Sequence, residues 1–353
     1  MYCCAPSHII NLILMLNTAI KLFSMISSEY KSPDKQRIDN SKTMNDIKYH
    51  QGKWASKPAM GIARSHGPTA AYNGKIYVFG GGGPDFKSLN STTIYDPAQD
   101  SWSAGTEMPT LRSGAIATTV GDAIYIIGGG FKKPDGNFQF LRTTEIYHPK
   151  TDSWEAGPDM LQPHDYPAGA LHDNHIYILG GHHPDATLSG PKTDPGFDFC
   201  ERLNLATGKW EELNPLPTPR FALDAVVMDQ KILTMGGVAF TPEGFNNFDH
   251  IEALDPVSGE WSLDSLKLPW TAAGLGSIMI DDTPFIFGGY SGDGICDHAA
   301  CYDKASKTWH LLPPMPAPLA AMGVAHIDRT IYLVGGWADD GRTPLGSVIA
   351  YTY

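Results

Sequence analysis

The chain has 353 residues, 42% of them hydrophobic, which is enough for a sizeable core and excludes disorder throughout. Its 37 Gly and 27 Pro lack the three-residue period of collagen, and with 15 Tyr, 14 Phe and 8 Trp they argue against a helical bundle and for many short strands joined by turns. The net charge of −12 divides into +2 over residues 1–50 and −14 over the rest, so the body is excluded as a general binder of nucleic-acid phosphates.

Residues 9–26 form the one long apolar stretch, interrupted by Asn11, Asn17 and Lys21. The stretch is short and polar for a membrane span, and it lacks the basic flank and cleavage site of a secretory signal. Membrane association is expected only if it acts as an anchor. The compartment is accordingly open: cytoplasmic, or secreted or membrane-anchored. Residues 27–50 read as a polar linker. Residues 1–50 are therefore set apart as an extension, and residues 51–353 are expected to form the folded domain. The five cysteines have an odd count and uneven spacing, which is no disulfide framework. Cys296, His298 and Cys301 have metal-ligand chemistry but no second pair, and read as loop and strand thiols.

From residue 54 onward one pattern repeats. A diglycine follows a short apolar run at Gly80-Gly81, Gly128-Gly129, Gly180-Gly181, Gly236-Gly237, Gly288-Gly289 and Gly335-Gly336. Trp54, Trp102, Trp154, Trp210, Trp261 and Trp309 precede these pairs by 26, 26, 26, 26, 27 and 26 residues. Tyr95, Tyr147, Leu203, Leu254 and Tyr302 each precede a Trp by seven. The stretch between the diglycine and the Tyr or Leu varies, so each repeat has a rigid part and one elastic part.

The rigid part predicts strands. Runs such as 76–79, 124–127 and 176–179 are apolar without alternation, as in strands covered on both faces. The segment 92–102 reads as strand, Asp-Pro turn, strand, and Asn73-Gly74 marks a hairpin before the diglycine strand. Each unit is then a four-stranded antiparallel sheet of about 50 residues, the length of a kelch blade.

The diglycine after an apolar strand, the Tyr and the Trp seven residues later together resemble kelch repeats over residues 52–353. The resemblance implies an all-β, six-bladed kelch β-propeller. The last repeat ends at Tyr351, before its Trp is reached, and Trp54 has no diglycine before it. An N-terminal strand around Trp54 is therefore expected to pair with the C-terminal blade and close the ring. A monomer is expected.

The elastic loops gather on one face of such a propeller and mark its binding side. The residue four after the Met or Leu that ends each blade is, in order, Arg64, Arg112, His164, Arg220, Ala272 and Leu319. The arginines have two readings: a cationic lining for an anionic group, or hydrogen bonds between blades. His164, Asp165, His182, His183 and Asp185 all belong to the third blade. They are a candidate Zn²⁺ or Fe²⁺ site, or else a hydrogen-bonded His-rich loop; no cofactor is otherwise expected. Tyr290 and Trp337 directly follow their diglycines and would wall a pocket, or cap the packing of their blades. The candidate ligand-binding set is thus Arg64, Arg112, His164, Arg220, His182, His183, Tyr290 and Trp337.

No hydrolase elbow, phosphate loop or dinucleotide fingerprint occurs. Two functions follow. The first is a binding protein that presents an Arg-lined, aromatic-rimmed face to an acidic peptide or other anionic ligand, as the resemblance to kelch adaptors implies. The second is a sugar-acid mutarotase, implied by resemblance to bacterial six-bladed kelch enzymes acting on sialic acid. In that case an arginine would hold the carboxylate, and His164 or Asp165 would move protons.

Overall fold

A computed structural model describes residues 49–187 and 193–353. The apolar runs before the diglycines become the second strand of each of six antiparallel sheets, and the Asp-rich turns close the hairpins that follow. Blade 1 comprises Thr69–Tyr72, Lys75–Phe79, Thr92–Asp96 and Ser101–Gly105. Blade 2 comprises Ile116–Val120, Ala123–Ile127, Thr144–His148 and Ser153–Ala156, and blade 3 Ala168–His172, His175–Leu179, Cys200–Asn204 and Lys209–Leu213. Blade 4 comprises Phe221–Met228, Lys231–Thr241, His250–Leu254 and Trp261–Lys267, and blade 5 Gly276–Ile280, Thr283–Phe287, Ala299–Asp303 and Thr308–Leu311. Blade 6 takes three strands from the C-terminus, Gly323–Ile327, Thr330–Val334 and Val348–Thr352, and its fourth, Lys53–Lys57, from the N-terminal part of the domain.

The two sequence rulers have a common cause. Every ruler Tyr or Leu lies directly across from its Trp on the third and fourth strands: Tyr95 from Trp102, Tyr147 from Trp154, Leu203 from Trp210, Leu254 from Trp261 and Tyr302 from Trp309. In blade 6 Tyr351 pairs across from Trp54. Tyr95 and Tyr147 donate their hydroxyls to Asp100 and Asp152 in the turn between these strands. Blade 6 has no such turn, and Tyr351 instead donates to the carbonyl of Tyr49 at 2.6 Å. Tyr49 is itself buried against Phe285 and Tyr353.

The tryptophans also join neighbouring blades. Trp102, Trp154, Trp210 and Trp261 each donate Nε1–H to a carbonyl just beyond the outer strand of the preceding blade, at Pro58, Thr106, Pro158 and Asn214. Trp54 does the same to Pro313 of the blade 5 exit at 2.8 Å. Trp309 is the exception, its Nε1 without a partner, and in the blade before it the pairing of the third strand with the outer one shifts register between His250 and Glu252.

The elastic connection lies between second and third strands. In blade 2 it forms a small extra hairpin, Gly130–Lys132 with Phe138–Phe140, and in blade 4 the second strand runs on and folds back as Gly244–Asn247. Part of the blade 3 loop and the apolar stretch 9–26 lie outside the described residues. Among the described residues no helix is long and apolar enough to cross a membrane.

Candidate functional site

Each connector from one blade to the next runs along the face that also carries the elastic loops, because a first strand begins where its antiparallel partner ends. Arg64, Arg112, His164 and Arg220 lie on these connectors and are 1%, 0%, 0% and 0% exposed. Their backbones serve the blade before. The carbonyls of Arg64, Arg112, His164, Arg220, Ala272 and Leu319 each accept the N–H of that blade's second diglycine residue, at 2.7–3.0 Å. Their side chains serve the blade after. Arg64, Arg112 and Arg220 donate Nη1–H to the first glycine's carbonyl, of Gly80, Gly128 and Gly236, at 2.8, 2.9 and 3.1 Å. His164 Nδ1 bonds Gly180 O at 2.7 Å.

The Nη2 groups of the arginines and Nε2 of His164 meet the third strand, while the arginine Nε atoms stay unpartnered. Arg112 pairs with Glu145 at 2.9 Å and Arg220 with Glu252 at 2.6 Å, His164 Nε2 meets Glu201 at 3.2 Å, and Arg64 bonds Thr93 Oγ1 at 2.9 Å. Burial pulls all three arginines below their ordinary pKa, with Glu145 and Glu252 opposing it at Arg112 and Arg220. Arg64, which has no carboxylate, falls to about 10. Blade 5 lacks the basic residue, and Trp270 Nε1–H supplies the bond to Gly288 O at 3.1 Å.

These contacts correct the expected Arg-lined face. Arg64, Arg112, His164 and Arg220 are clasps between blades, with no side turned to a ligand. The diglycine is part of the same device: Gly128 and Gly180 have φ of 68° and 67°, and a Cβ there would come 2.7 and 2.8 Å from the carbonyls of His164 and Arg220.

The side chains that reach the central channel stand two residues further on. His66, Gly114, Tyr166, Ala222, Gly274 and Ala321 all have positive φ, between 50° and 65°. Each donates its N–H to the carbonyl of the previous one at 2.7–3.1 Å, a closed belt of six backbone bonds around the axis. The inner strands enclose a channel of about 290 Å³, and His66, Tyr166 and Asp224 bring functional groups to it. An arc of rings crosses its mouth, with centroids 4.5 Å apart for Trp337–His66, 4.4 Å for His66–Tyr166, 5.1 Å for Tyr166–His182 and 4.0 Å for the stacked His182–Phe221.

Charge at the mouth is carried by blades 3 and 4. His182 Nδ1 bonds Asp194, which also accepts the N–H groups of His183 and Gly196 at 3.2 and 3.0 Å. Burial pulls His182 down, but Asp194 and Asp165 outweigh it and its pKa is raised. Burial pushes Asp194 up, but the hydrogen bond and charge of His182 together with the N–H groups of Gly196 and His183 outweigh it, and its pKa is lowered. Burial drives Asp165, 4% exposed and with Oδ1 unpartnered, up to about 7. His66, buried and repelled by His182, falls to about 3.

The expected blade 3 metal set does not converge. His164 turns inward to Glu201, His182 turns to Asp194, and His183 lies near Asp185 at 3.7 Å. Among the described residues no group of three or more His, Cys, Asp and Glu side chains is arranged around a common point. Trp337 belongs to the arc, whereas Tyr290 donates its hydroxyl to Gly292 O at 2.8 Å in its own loop. Sequence reasoning missed His66, Tyr166, Asp194 and Asp224. The first two were within reach, because they occupy one repeat position two residues past the clasp.

Residues 30–237 match the family described as the KLHDC2/KLHL20/DRC7 Kelch-repeats domain, and residues 273–316 match the Kelch motif. The chain is 25% identical over 298 residues to beta-scruin of Limulus polyphemus, covering 80% of this chain and 32% of that one. It is 27% identical over 309 residues to the kelch-like protein terF of Aspergillus terreus, covering 83% and 66%. With human kelch-like protein 23 the identity is 26% over 277 residues, covering 78% and 46%. The chain thus spans between about a third and two thirds of the length of these relatives. The solved structure of YjhT superposes with a TM-score of 0.67 at 15% identity, over 84% of this chain and 99% of that one, a likeness of fold alone.

Proposed function

Since the chain belongs to the kelch-repeat family, we propose that it is a protein-binding propeller that holds a partner segment across the loop-bearing face of blades 1–4, over the channel mouth. One observation carries this reading. Of ten exposed large hydrophobic side chains among the described residues, six stand on that face: Ile62, Phe86, Leu111, Phe138, Leu161 and Phe245, each 37–43% exposed. Five lie on blades 1–4 or the connectors between them, and Ile62 lies on the connector from blade 6 to blade 1. Apolar surface gathered on one side of a folded domain is the usual mark of a docking site. Beside it, Phe138, Phe140, Pro163 and Pro184 line a groove of about 360 Å³ that would seat an apolar side chain.

The anionic-ligand form of the reading lacks its basis, because the arginines that motivated it are internal. The sugar-acid mutarotase reading loses its carboxylate holder for the same reason.

The test is selection of displayed random peptides on the full chain. Enriched peptides are expected to bind wild type and to lose about tenfold or more in affinity with Leu111→Ser, Leu161→Ser or Phe138→Ser. Leu263→Ser, on the outer strand of blade 4, should leave binding unchanged. Equal binding by all four variants, or no enrichment, would remove the reading.

A further inference from the structure

The buried carboxylates of this half of the propeller are almost all matched to a basic side chain: Glu145 to Arg112, Glu201 to His164, Glu252 to Arg220 and Asp194 to His182. One is not, Asp165, and a half-buried carboxylate, Asp224 on the inner strand of blade 4, lines the channel without a Lys or Arg partner among the described residues. Its Oδ1 and Oδ2 accept the backbone N–H groups of Ala225 and Ser277, each at 2.8 Å, beside the Ser277 hydroxyl. Asp165 lies under the rim beside Gly114, with its Oδ1 unpartnered. Among the described residues no Lys or Arg lines the channel. Buried carboxylates are ordinarily paired, because an isolated buried charge is costly.

We propose that the channel receives a cationic side chain, the ammonium or guanidinium of a lysine or arginine at the tip of the bound partner segment, with Asp224 as its principal carboxylate. This rests on the protein-binding reading above and gives the partner's chemistry. Several features fit such an occupant. The volume is at the lower end of the ~300–1,000 Å³ of small-molecule sites, suited to one long side chain. Tyr166 and Trp337 bring aromatic rings to the rim, and rings attract a desolvated cation. The −14 charge of the folded body draws cations toward it from a distance. A cation beside Asp224 would supply the basic partner that no described side chain lining the channel provides.

Binding should release protons. Burial holds Asp224 at about 6 and Asp165 at about 7, and a cation binds their ionised forms. Of the other titratable groups nearby, His66 is neutral across the range, and His182, paired with Asp194, also attracts the Asp165 carboxylate, so Asp224 is the cleaner reporter. Of the elements packed beside Asp224, Ala168–His172 carries His172, paired with Asp173. Gly276–Ile280 carries no titratable group, and Lys231 lies at the far end of its own hairpin opposite Met228.

The test uses the full chain and defined probes: acetyl-Gly-Lys-Gly-amide, acetyl-Gly-Arg-Gly-amide, the norleucine analogue of the same length, n-butylammonium and Ca²⁺. Binding is followed at millimolar concentration by NMR and by Trp fluorescence. The Lys and Arg peptides should bind about tenfold or more tightly than the norleucine peptide. Their affinity should fall about tenfold with Asp224→Asn, by a smaller factor with Asp165→Asn, and on acidification from about pH 7.5 to about pH 5. Melting curves show that each variant is folded.

Equal binding of the norleucine peptide, no binding of either basic peptide, or indifference to both variants and to pH would overturn the inference. So would binding of butylammonium or Ca²⁺ without the peptides. If displayed peptides select on the apolar face but carry no Lys or Arg, the binding function stands and the cation site falls. If none select, the function itself falls.

Discussion

The backbone N–H of His66 donates to the carbonyl of Ala321 at 2.8 Å, across 255 residues of chain, and joins the first inner strand to the last. That bond completes the belt of six around the channel. On the outside of the ring, Trp54 and Tyr351 make the equivalent join, 4.9 Å between ring centroids. Blade 6 thus depends on contacts between the two ends of the domain. Trp54→Ala should cost roughly 3 kcal/mol, and deletion of residues 51–58 should cost more because it bares the edge of Val348–Thr352. Urea denaturation measures both; an unchanged midpoint for the deletion would show that this strand does not hold the ring.

The Arg112–Glu145 clasp should behave as a coupled buried pair. Arg112→Ala leaves Glu145 buried without its partner and should cost about 3–5 kcal/mol. Arg112→Met combined with Glu145→Leu removes both charges and should recover most of that loss. Unfolding of the two singles and the double forms the cycle; strictly additive losses would mean the two side chains act separately.

Two tryptophans predict opposite outcomes for one substitution. Trp270→Phe removes the donor to Gly288 O and should cost about 1–3 kcal/mol. Trp309→Phe removes an indole N–H that has no partner and should be neutral or stabilising. Thermal melts of both variants decide it, and a larger loss at Trp309 would contradict the clasp at blade 5.

Asp165 makes stability depend on pH in a definite direction. Its carboxyl is held up to about 7, above the unfolded value of about 3.9. Between these values the native state binds the extra proton, so this group's contribution to stability falls as pH rises from about 4 to about 7, then stays low. Asp165→Asn should therefore raise stability by roughly 1–3 kcal/mol at about pH 8 and have little effect at about pH 4. Melting temperatures across this range test it; a gain that is the same at both ends would rule out the protonation account.

How much of the site was legible follows from where its residues sit in the repeat. The clasp was readable in retrospect. The residue two before the ruler Tyr or Leu is Thr93, Glu145, Glu201, Glu252, Ala300 and Ile349, and it is polar only in the blades that carry Arg or His on the connector. That match separates a clasp from a ligand-facing arginine, because a charge turned to solvent needs no partner inside the blade. Asp194 was not readable. It joins His182 through a loop of irregular length, and no repeat spacing points to it. Asp224 sits within a strand among apolar neighbours, and only the closed ring decides that it faces the channel.

The repeat spacings alone determined six blades, their strands and the side on which the loops gather, because each blade is local and its hairpins are set by residues a few positions apart. The tertiary structure decided what the polar residues do. Each connector serves two blades at once, so a residue's direction depends on a neighbour about 50 residues away in the chain. That geometry turns the arginines inward, Arg112 and Arg220 to glutamates and Arg64 to Thr93, and leaves Asp224 on a channel that no described Lys or Arg lines.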